Sequence, residues 1–471
     1  MFSFALSLDP KARKPMYEQL YRALAEAIRG GELRAREKLP SKRELCARLG
    51  VSRATVETAY ELLTAEGYVE ARPRSGFYAA DYQPTETQGT VLCVPSAPEA
   101  DASVNTENTE NRPLCESDDL FSTSAVDVSL FPYASWAKLY KEVVYNSPEL
   151  LQRGDPRGEA PLRRALARLL SEYRAVRCGP EQIVVGSGLE TLLGQLITLF
   201  GKDAVYAMED PGYPAVERSL LARGREIRCV PMDAAGMDAE ALEAGGADVA
   251  YLTPSHQFPL GISMPASRRS RLLRWAAAGE RWIIEDDYDS EFRYGGRPIS
   301  SMQGMDRAQR VIYTGTFSRS LAPAIRLAYM VLPPALAERW QALYGGQQPT
   351  VSRYEQTVMA RFLEEGFYSR YIRRVGKLYA DRRDALLEAL GQIEGLRVSG
   401  AEGGIHFLLR LPRYDEAELL RRAAAAGLPL RGLSEYCRCC PPLPSTLVLG
   451  YGGLPTERVA EAAARLKAAW A

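Results

Sequence analysis

Between residues 81 and 119 the chain carries almost no apolar periodicity, and one arginine stands there against nine acids, a charge of −8. PTETQGT and PSAPEADASVNTENTENRP cannot bury enough apolar surface to offset the entropy lost on ordering. The stretch reads as a flexible acidic linker, so the fold has to be built as two modules, residues 1–80 and residues 120–471. A length of 471 residues already exceeds one ordinary core, and 46% hydrophobic with 25% charged residues is the composition of a soluble globular protein. No run of eighteen apolar residues occurs, and Asp9 follows the N-terminus too closely for a secretory signal. These features predict a cytoplasmic protein with no membrane partner.

Residues 1–80 hold 14 Lys and Arg against 10 Asp and Glu, or +4, a weak pointer to a polyanionic partner. Tyr17, Leu20, Leu24 and Ile28 fall on one face of a helix that Gly30-Gly31 stops. Ser41-Lys42-Arg43-Glu44 reads as a capping box that opens a second helix, which ends at Gly50. Ser52 then caps a third, running through Val56, Ala59, Tyr60 and Leu63. Only Gly50-Val51 separates the two, the tight turn of a helix-turn-helix, and this leaves the start of the third helix facing outward. Beyond Gly67 the runs Tyr68–Ala71 and Gly76–Ala79 read as a two-stranded wing with a basic tip, Arg72-Pro73-Arg74-Ser75.

From about Phe121 onward, helical stretches alternate with short apolar runs such as Gln182–Val185, Ala247–Leu252, Trp282–Ile284 and Arg310–Tyr313. Strands alternating with helices imply an α/β fold with a largely parallel sheet covered on both faces, and the part from roughly Leu332 reads as a smaller α/β subdomain. Eight cysteines in so long a chain make no disulfide framework. Cys46, Cys93, Cys115, Cys178 and Cys229 are scattered singly, while Cys437, Cys439 and Cys440 cluster. Three thiols so close could bind metal or sense oxidation, but their spacing matches no common zinc pattern, and packing or a tolerated surface is the simpler reading. No metal is expected.

The segment from Lys14 to Ala80 resembles a GntR-type winged helix-turn-helix along its whole length. By position the resemblance nominates Arg43, Ser52, Arg53, Thr55, Arg74 and Gly76 as the residues that approach double-stranded operator DNA. Arginine suits phosphate and guanine edges, hydroxyls and helix starts hold phosphates, and glycine admits close backbone approach. Arg43 or Arg53 could instead pair with a neighbouring Glu.

Six further segments resemble, in order, a fold-type I, class I aminotransferase that uses pyridoxal phosphate (PLP). They are Gly154-Asp155-Pro156-Arg157-Gly158, Val185–Gly188, Glu209–Tyr213, Thr253–Pro259, Glu285–Tyr294 and Thr314–Ser320. Behind the DNA-binding head, the whole is similar to the MocR subfamily of GntR regulators. The resemblance implies that Ser187, Gly188 and Leu189 cradle the cofactor phosphate at a helix start, completed by Thr316, Ser318 and Arg326. It further implies that Tyr213 stacks on the ring, Asp286 pairs with the pyridine nitrogen and Tyr288 donates to the phenolic oxygen. Arg431 is nominated as an effector contact in the C-terminal region.

The chain departs from the pattern at position 319. Where the family carries the lysine that links covalently to PLP, the sequence reads Ser318-Arg319-Ser320-Leu321-Ala322-Pro323. A guanidinium, with a pKa above about 12 and delocalised lone pairs, is no nucleophile. No lysine lies between Lys202 and Lys377 to replace it, although 50 Arg against 9 Lys overall also makes drift from lysine to arginine easy. Arg153 stands before Gly154 where the family has tyrosine, and Leu189-Glu190 where Ala-Gln is common. The expectation is a domain silent for transamination. PLP could be held without a covalent bond, Arg319 could grip an anionic effector, or the pocket could be vestigial. On this reading the protein is a homodimeric transcription regulator that senses a small anionic metabolite; the rivals are a PLP-dependent aminotransferase with an appended DNA-binding domain, and a ligand-free DNA-binding scaffold.

Overall fold

The computed structural model describes residues 8, 15–29, 32–34, 36–65, 68–72, 75–80, 120–294 and 300–471. The expected linker 81–119 and the wing-tip residue Arg74 lie outside the described residues. Contacts divide the chain into two units, Met1–Asn111 and Arg112–Ala471.

In the first unit, helix α1 (Met16–Arg29) buries Leu20, Leu24 and Ile28. Tyr17 is 37% exposed, so the apolar stripe begins one turn later than its spacing suggests. Helix α2 (Lys42–Leu49) is capped by Ser41, whose Oγ accepts from the Glu44 amide at 3.2 Å. It stops at Gly50, whose φ of +64° an L side chain rarely adopts. Helix α3 (Arg53–Ala65) starts at Ser52, whose Oγ accepts from the Thr55 amide at 3.2 Å. Val56, Ala59, Tyr60 and Leu63 are buried, and the Tyr60 hydroxyl donates to Pro40 O at 2.7 Å, tying α3 to the segment ahead of α2. Strands β1 (Val69–Arg72) and β2 (Gly76–Ala79) pair antiparallel as the wing.

The second unit is built on an eight-stranded sheet. Its strands are β3 (Ile183–Gly186), β4 (Tyr206–Asp210), β5 (Ile227–Asp233), β6 (Gly236–Met237), β7 (Val249–Leu252), β8 (Trp282–Asp287), β9 (Val311–Thr316) and β10 (Ala328–Val331). They lie in the order β3-β10-β9-β8-β7-β4-β5-β6. The run β9-β8-β7-β4-β5 is parallel, and β10 is antiparallel to both its neighbours. Helices cover both faces, as a sheet buried on two sides requires: Val184 belongs to one apolar cluster and its neighbours Ile183 and Val185 to another. The same alternation sends Asp286 of β8 toward Tyr251 on one side and Asp287 toward Tyr313 on the other.

Leu332 still belongs to the large sheet's edge, its amide bonded to Gln182 O. Helices 334–344, 353–364 and 367–390 follow, and the smaller sheet begins only at β11 (Arg397–Ser399). With β12 (His406–Arg410), β13 (Arg431–Gly432) and β14 (Thr446–Gly450) it forms an antiparallel sheet in the order β11-β12-β14-β13. Among the described residues no helix is long and apolar enough to cross a membrane.

Candidate functional site

On the head, the short α2–α3 turn leaves Arg43, Ser52 and Arg53 exposed. Arg43 has no ion pair among the described residues, whereas Arg53 Nε lies 3.1 Å from Glu57 Oε1. Lys42 reaches the same oxygen at 3.4 Å, and hydrogen bonds from these two cations hold the Glu57 carboxyl below its usual range. The Thr55 hydroxyl lies 2.9 Å from that of Ser52, so these two nominated groups are partly spent on the helix start. Gly76 opens the second wing strand at φ +113°, and a Cβ there would come 3.3 Å from Lys38 Cε. Lys38, Lys42 and Arg72 lie over the rings of Tyr78, Phe77 and Tyr78, which keeps cations along the wing.

In the second unit a cavity of about 170 Å³ opens over the C-terminal ends of the central strands, the place where open α/β sheets bind ligands. Leu189, Tyr213, Asp286, Tyr288, Thr316, Ser318, Arg319 and Arg326 all line it, so segments up to 137 residues apart in sequence meet at one place. Ser187 and Gly188, also nominated for the phosphate, are not among its lining residues. The Ser187 hydroxyl is 3.1 Å from that of Thr191. Gly188 has φ +101°, and a Cβ there would fall 2.2 Å from Arg326 Nη2, so glycine is what lets this guanidinium reach the helix start. Arg431 is not brought to the cavity: it lies exposed on β13, with Nη1 2.8 Å from Glu435 Oε2.

At one end sits Asp286. It is buried, receives hydrogen bonds from the Tyr251 and Thr314 hydroxyls, and has no ion pair among the described residues. Burial pushes its carboxyl up to about 7, with the neighbouring Asp287 adding to the rise. A buried carboxylate without a cation is costly, and a protonated ring nitrogen is the kind of partner it lacks. Tyr213 forms the wall, its ring edge-on to Phe258 at 5.4 Å. The Tyr288 hydroxyl donates to His256 O at 2.9 Å, which occupies the proton expected to face a ligand oxygen.

The other end differs from a plain phosphate cup. Helix α6 (Leu189–Phe200, the sixth in chain order after α4, Tyr133–Asn146, and α5, Ala160–Arg174) begins there, and its positive end favours an anion. Glu190 in the first turn supplies one from the chain itself: its Oε2 lies 2.9 Å from Arg326 Nη2. Its carboxyl is held below the usual range by its own backbone amide and by Arg326, which outweigh the opposing effect of burial. Arg319 stands in the wall with Nη1 bonded to Thr123 O, and its charge lowers the cost of ionising Tyr213 and Tyr288 against their burial. Arg153 turns away to the carbonyls of Gly346 and Gln347.

Sequence reasoning noted Glu190 only as a departure; acids in a first turn are common caps, and nothing local marks this one as facing Arg326. It also missed the only two histidines of the chain, which pack ring to ring at 4.6 Å behind Tyr288. His256 Nδ1 lies 3.0 Å from Asp289, whose charge holds the imidazole above its ordinary value against burial, while burial beside His256 drives His406 well below.

Comparison with known proteins matches residues 16–79 to the model of bacterial regulatory proteins of the gntR family, and residues 122–466 to that of class I and II aminotransferases. The chain is 38% identical to YdeL of Bacillus subtilis, an uncharacterized HTH-type transcriptional regulator, over 97% of each chain. It is 33% identical to the probable rhizopine catabolism regulatory protein MocR of Rhizobium meliloti, over 99% of this chain and 96% of that one. Among solved structures, kynurenine aminotransferase of Pyrococcus horikoshii superposes with a TM-score of 0.66 and 26% identity, covering 75% of this chain and 91% of the other.

Proposed function

Because the chain belongs to the MocR subfamily of gntR-type regulators, a winged helix-turn-helix fused to a class I aminotransferase fold, and is thus a DNA-binding transcription regulator, we propose that its large domain is a non-catalytic sensor of a small anionic metabolite. The observation that carries this reading is Arg319 in the wall of the cavity, a permanent cation where the aminotransferase pattern needs a nucleophile. A carboxylate ligand would find Arg319 near one end and, if it also bears a cation, Asp286 at the other.

PLP fits this cavity in part. Asp286 and Tyr213 suit its ring, while Glu190 contests its phosphate and Arg319 cannot attach to it. When bound, PLP would supply an electron-poor ring, and it would be held here by stacking, by Asp286 and by Arg326 without a covalent bond. An aminotransferase reading draws on the retained Asp286, but with Arg319 in place no lysine lines the cavity among the described residues to begin that chemistry.

In a homodimer two weakly binding heads gain affinity by linkage, and a ligand that shifts the large domains would change their spacing on operator half-sites. Thermal melting with PLP, amino acids and dicarboxylates, paired with gel shifts on the native upstream DNA across a salt series, tests this. The expected result is one ligand that raises the melting temperature and changes DNA affinity. Turnover of an amino acid by the purified protein, or no salt-sensitive DNA binding, would overturn it.

A further inference from the structure

Cys229 lies on β5 of the large sheet, and Cys439 lies in the segment between β13 and β14 of the small one. Although 210 residues apart in sequence, their Sγ atoms are 2.8 Å apart, within about 1 Å of the ~2.05 Å of a disulfide. Cys439 is exposed, so oxidants in solution reach it, and Cys229 is half-buried beneath it. We propose that Cys229 and Cys439 form a reversible disulfide when the protein meets a hydroperoxide.

The surroundings hold the pair in place. The Asp210 carboxylate receives the amide of Arg438 on Oδ1 at 2.9 Å, and those of Cys439 and Cys440 on Oδ2, both at 2.7 Å. Arg438 also pairs with Glu217 at 2.9 Å. The loop carrying Cys439 is thereby pinned against the β4–β5 edge before any bond forms. A metal ion needs the same neighbours, since Asp210, Cys229 and Cys439 present close ligand atoms. However, the Asp210 oxygens already accept three amides, and with two sulfurs the set falls short of the four ligands of a structural zinc site, which favours a disulfide over a metal centre.

In the balanced reaction the Cys439 thiolate attacks the hydroperoxide, with one proton taken up. The O–O bond breaks, an alcohol or water leaves, and Cys439 becomes a sulfenic acid. The Cys229 sulfur then displaces the hydroxyl from Cys439, and its thiol proton leaves with that hydroxyl as water. Two thiols have lost two electrons and the peroxide has gained them. Burial and the adjacent thiol push Cys229 up to about 12, consistent with its acting second, on an already oxidised partner.

The bond would fix a segment that reaches the sensing cavity. Tyr436 O accepts from the Gly212 amide at 3.0 Å, and the Tyr436 ring packs on Phe258 at 5.2 Å, which in turn meets Tyr213. This consequence rests on the sensor reading, whereas the disulfide does not.

Full-length protein treated with hydrogen peroxide and mapped by mass spectrometry without reduction tests the proposal. The expected result is a Cys229–Cys439 cross-linked peptide, with two of the eight thiols lost and regained with dithiothreitol. Cys229→Ser and Cys439→Ser should each abolish that peptide, and Cys437→Ser should retain it. The proposal is overturned if Cys439 pairs with Cys437 or Cys440, or is over-oxidised while Cys229 stays a free thiol. It is equally overturned if untreated protein takes up one zinc ion per chain that shields both thiols. Repeating the ligand melts on oxidised and reduced protein separates the two claims: a cross-link without any change in ligand response removes the link to the cavity and leaves the disulfide standing.

Discussion

In the head, Arg43 and Arg53 stand in solvent, whereas in the large domain Asp286 is buried without a cation among the described residues and its carboxyl rises to about 7. A surface that waits for a polyanion can be built from exposed arginines, because phosphate contacts form by exchange with counterions. A pocket that discriminates among small molecules has to exclude water first, and its charged groups then depend on a ligand or on each other. Glu190 and Arg326 have settled on each other; Asp286 has not. The contrast teaches where each unit stores its specificity: on the outside of the head, and in a buried carboxyl that has hydrogen bonds but no cation in the large domain.

Replacing the buried carboxyl of Asp286 tests the contrast most strongly. The folded value of Asp286, about 7, lies above the ordinary 3.8, so the folded state holds more protons between those values and stability falls as pH rises through that window. Asp286→Asn removes this penalty. Its unfolding free energy should exceed that of the parent protein above pH 7 by an amount on the order of a few kcal/mol, with a correspondingly higher melting temperature, and the gain should shrink as pH falls from 7 toward 4. An unchanged or lowered melting temperature at pH 8 would show that the carboxylate is not strained.

Next in size is the head. Arg43→Ala should weaken operator binding by about 1–3 kcal/mol and lower the salt slope of a fluorescence-anisotropy titration. Arg53→Ala should do less, since Glu57 already shares that guanidinium. Equal losses would mean that the Arg53–Glu57 pair opens freely on DNA. The smallest effect is expected at the phosphate end. Glu190 and Arg326 are both about half exposed, with side-chain accessibilities of 56% and 51%, so their pair is worth roughly 0–1 kcal/mol. Glu190→Gln should tighten PLP binding, read by equilibrium dialysis, by no more than a few-fold; weaker binding would mean that the carboxylate helps to hold the ligand.

The head was nearly all legible in the sequence, because its signals are local. Ser41 with Glu44, Gly50, and Ser52 with Thr55 each act within one helical turn, and the structure shows the Ser41 and Ser52 caps and the stop at Gly50, though only the Ser41 half of the capping box. Tyr17 was misplaced, since a helical stripe does not say where burial by its neighbours begins. In the large domain the parallel sheet followed from the alternation of strands and helices, and the meeting of Tyr213, Asp286, Tyr288 and Arg326 in one cavity was implied by the aminotransferase resemblance. What local pattern could not supply was pairing across long separations: Glu190 with Arg326, His256 with His406, and Cys229 with Cys439. Arg431 lies outside the cavity for a different, local reason: its i,i+4 partner Glu435 answers its charge.

The central claim is that Arg319 silences covalent chemistry in an otherwise retained pocket. The most direct measurement is an absorbance titration of purified protein with PLP, followed by borohydride reduction, for the parent chain and for Arg319→Lys. The account predicts no reducible adduct with the parent chain and a covalent one, with its shifted absorbance band, once lysine is restored. A reducible adduct within this pocket of the parent chain would contradict it.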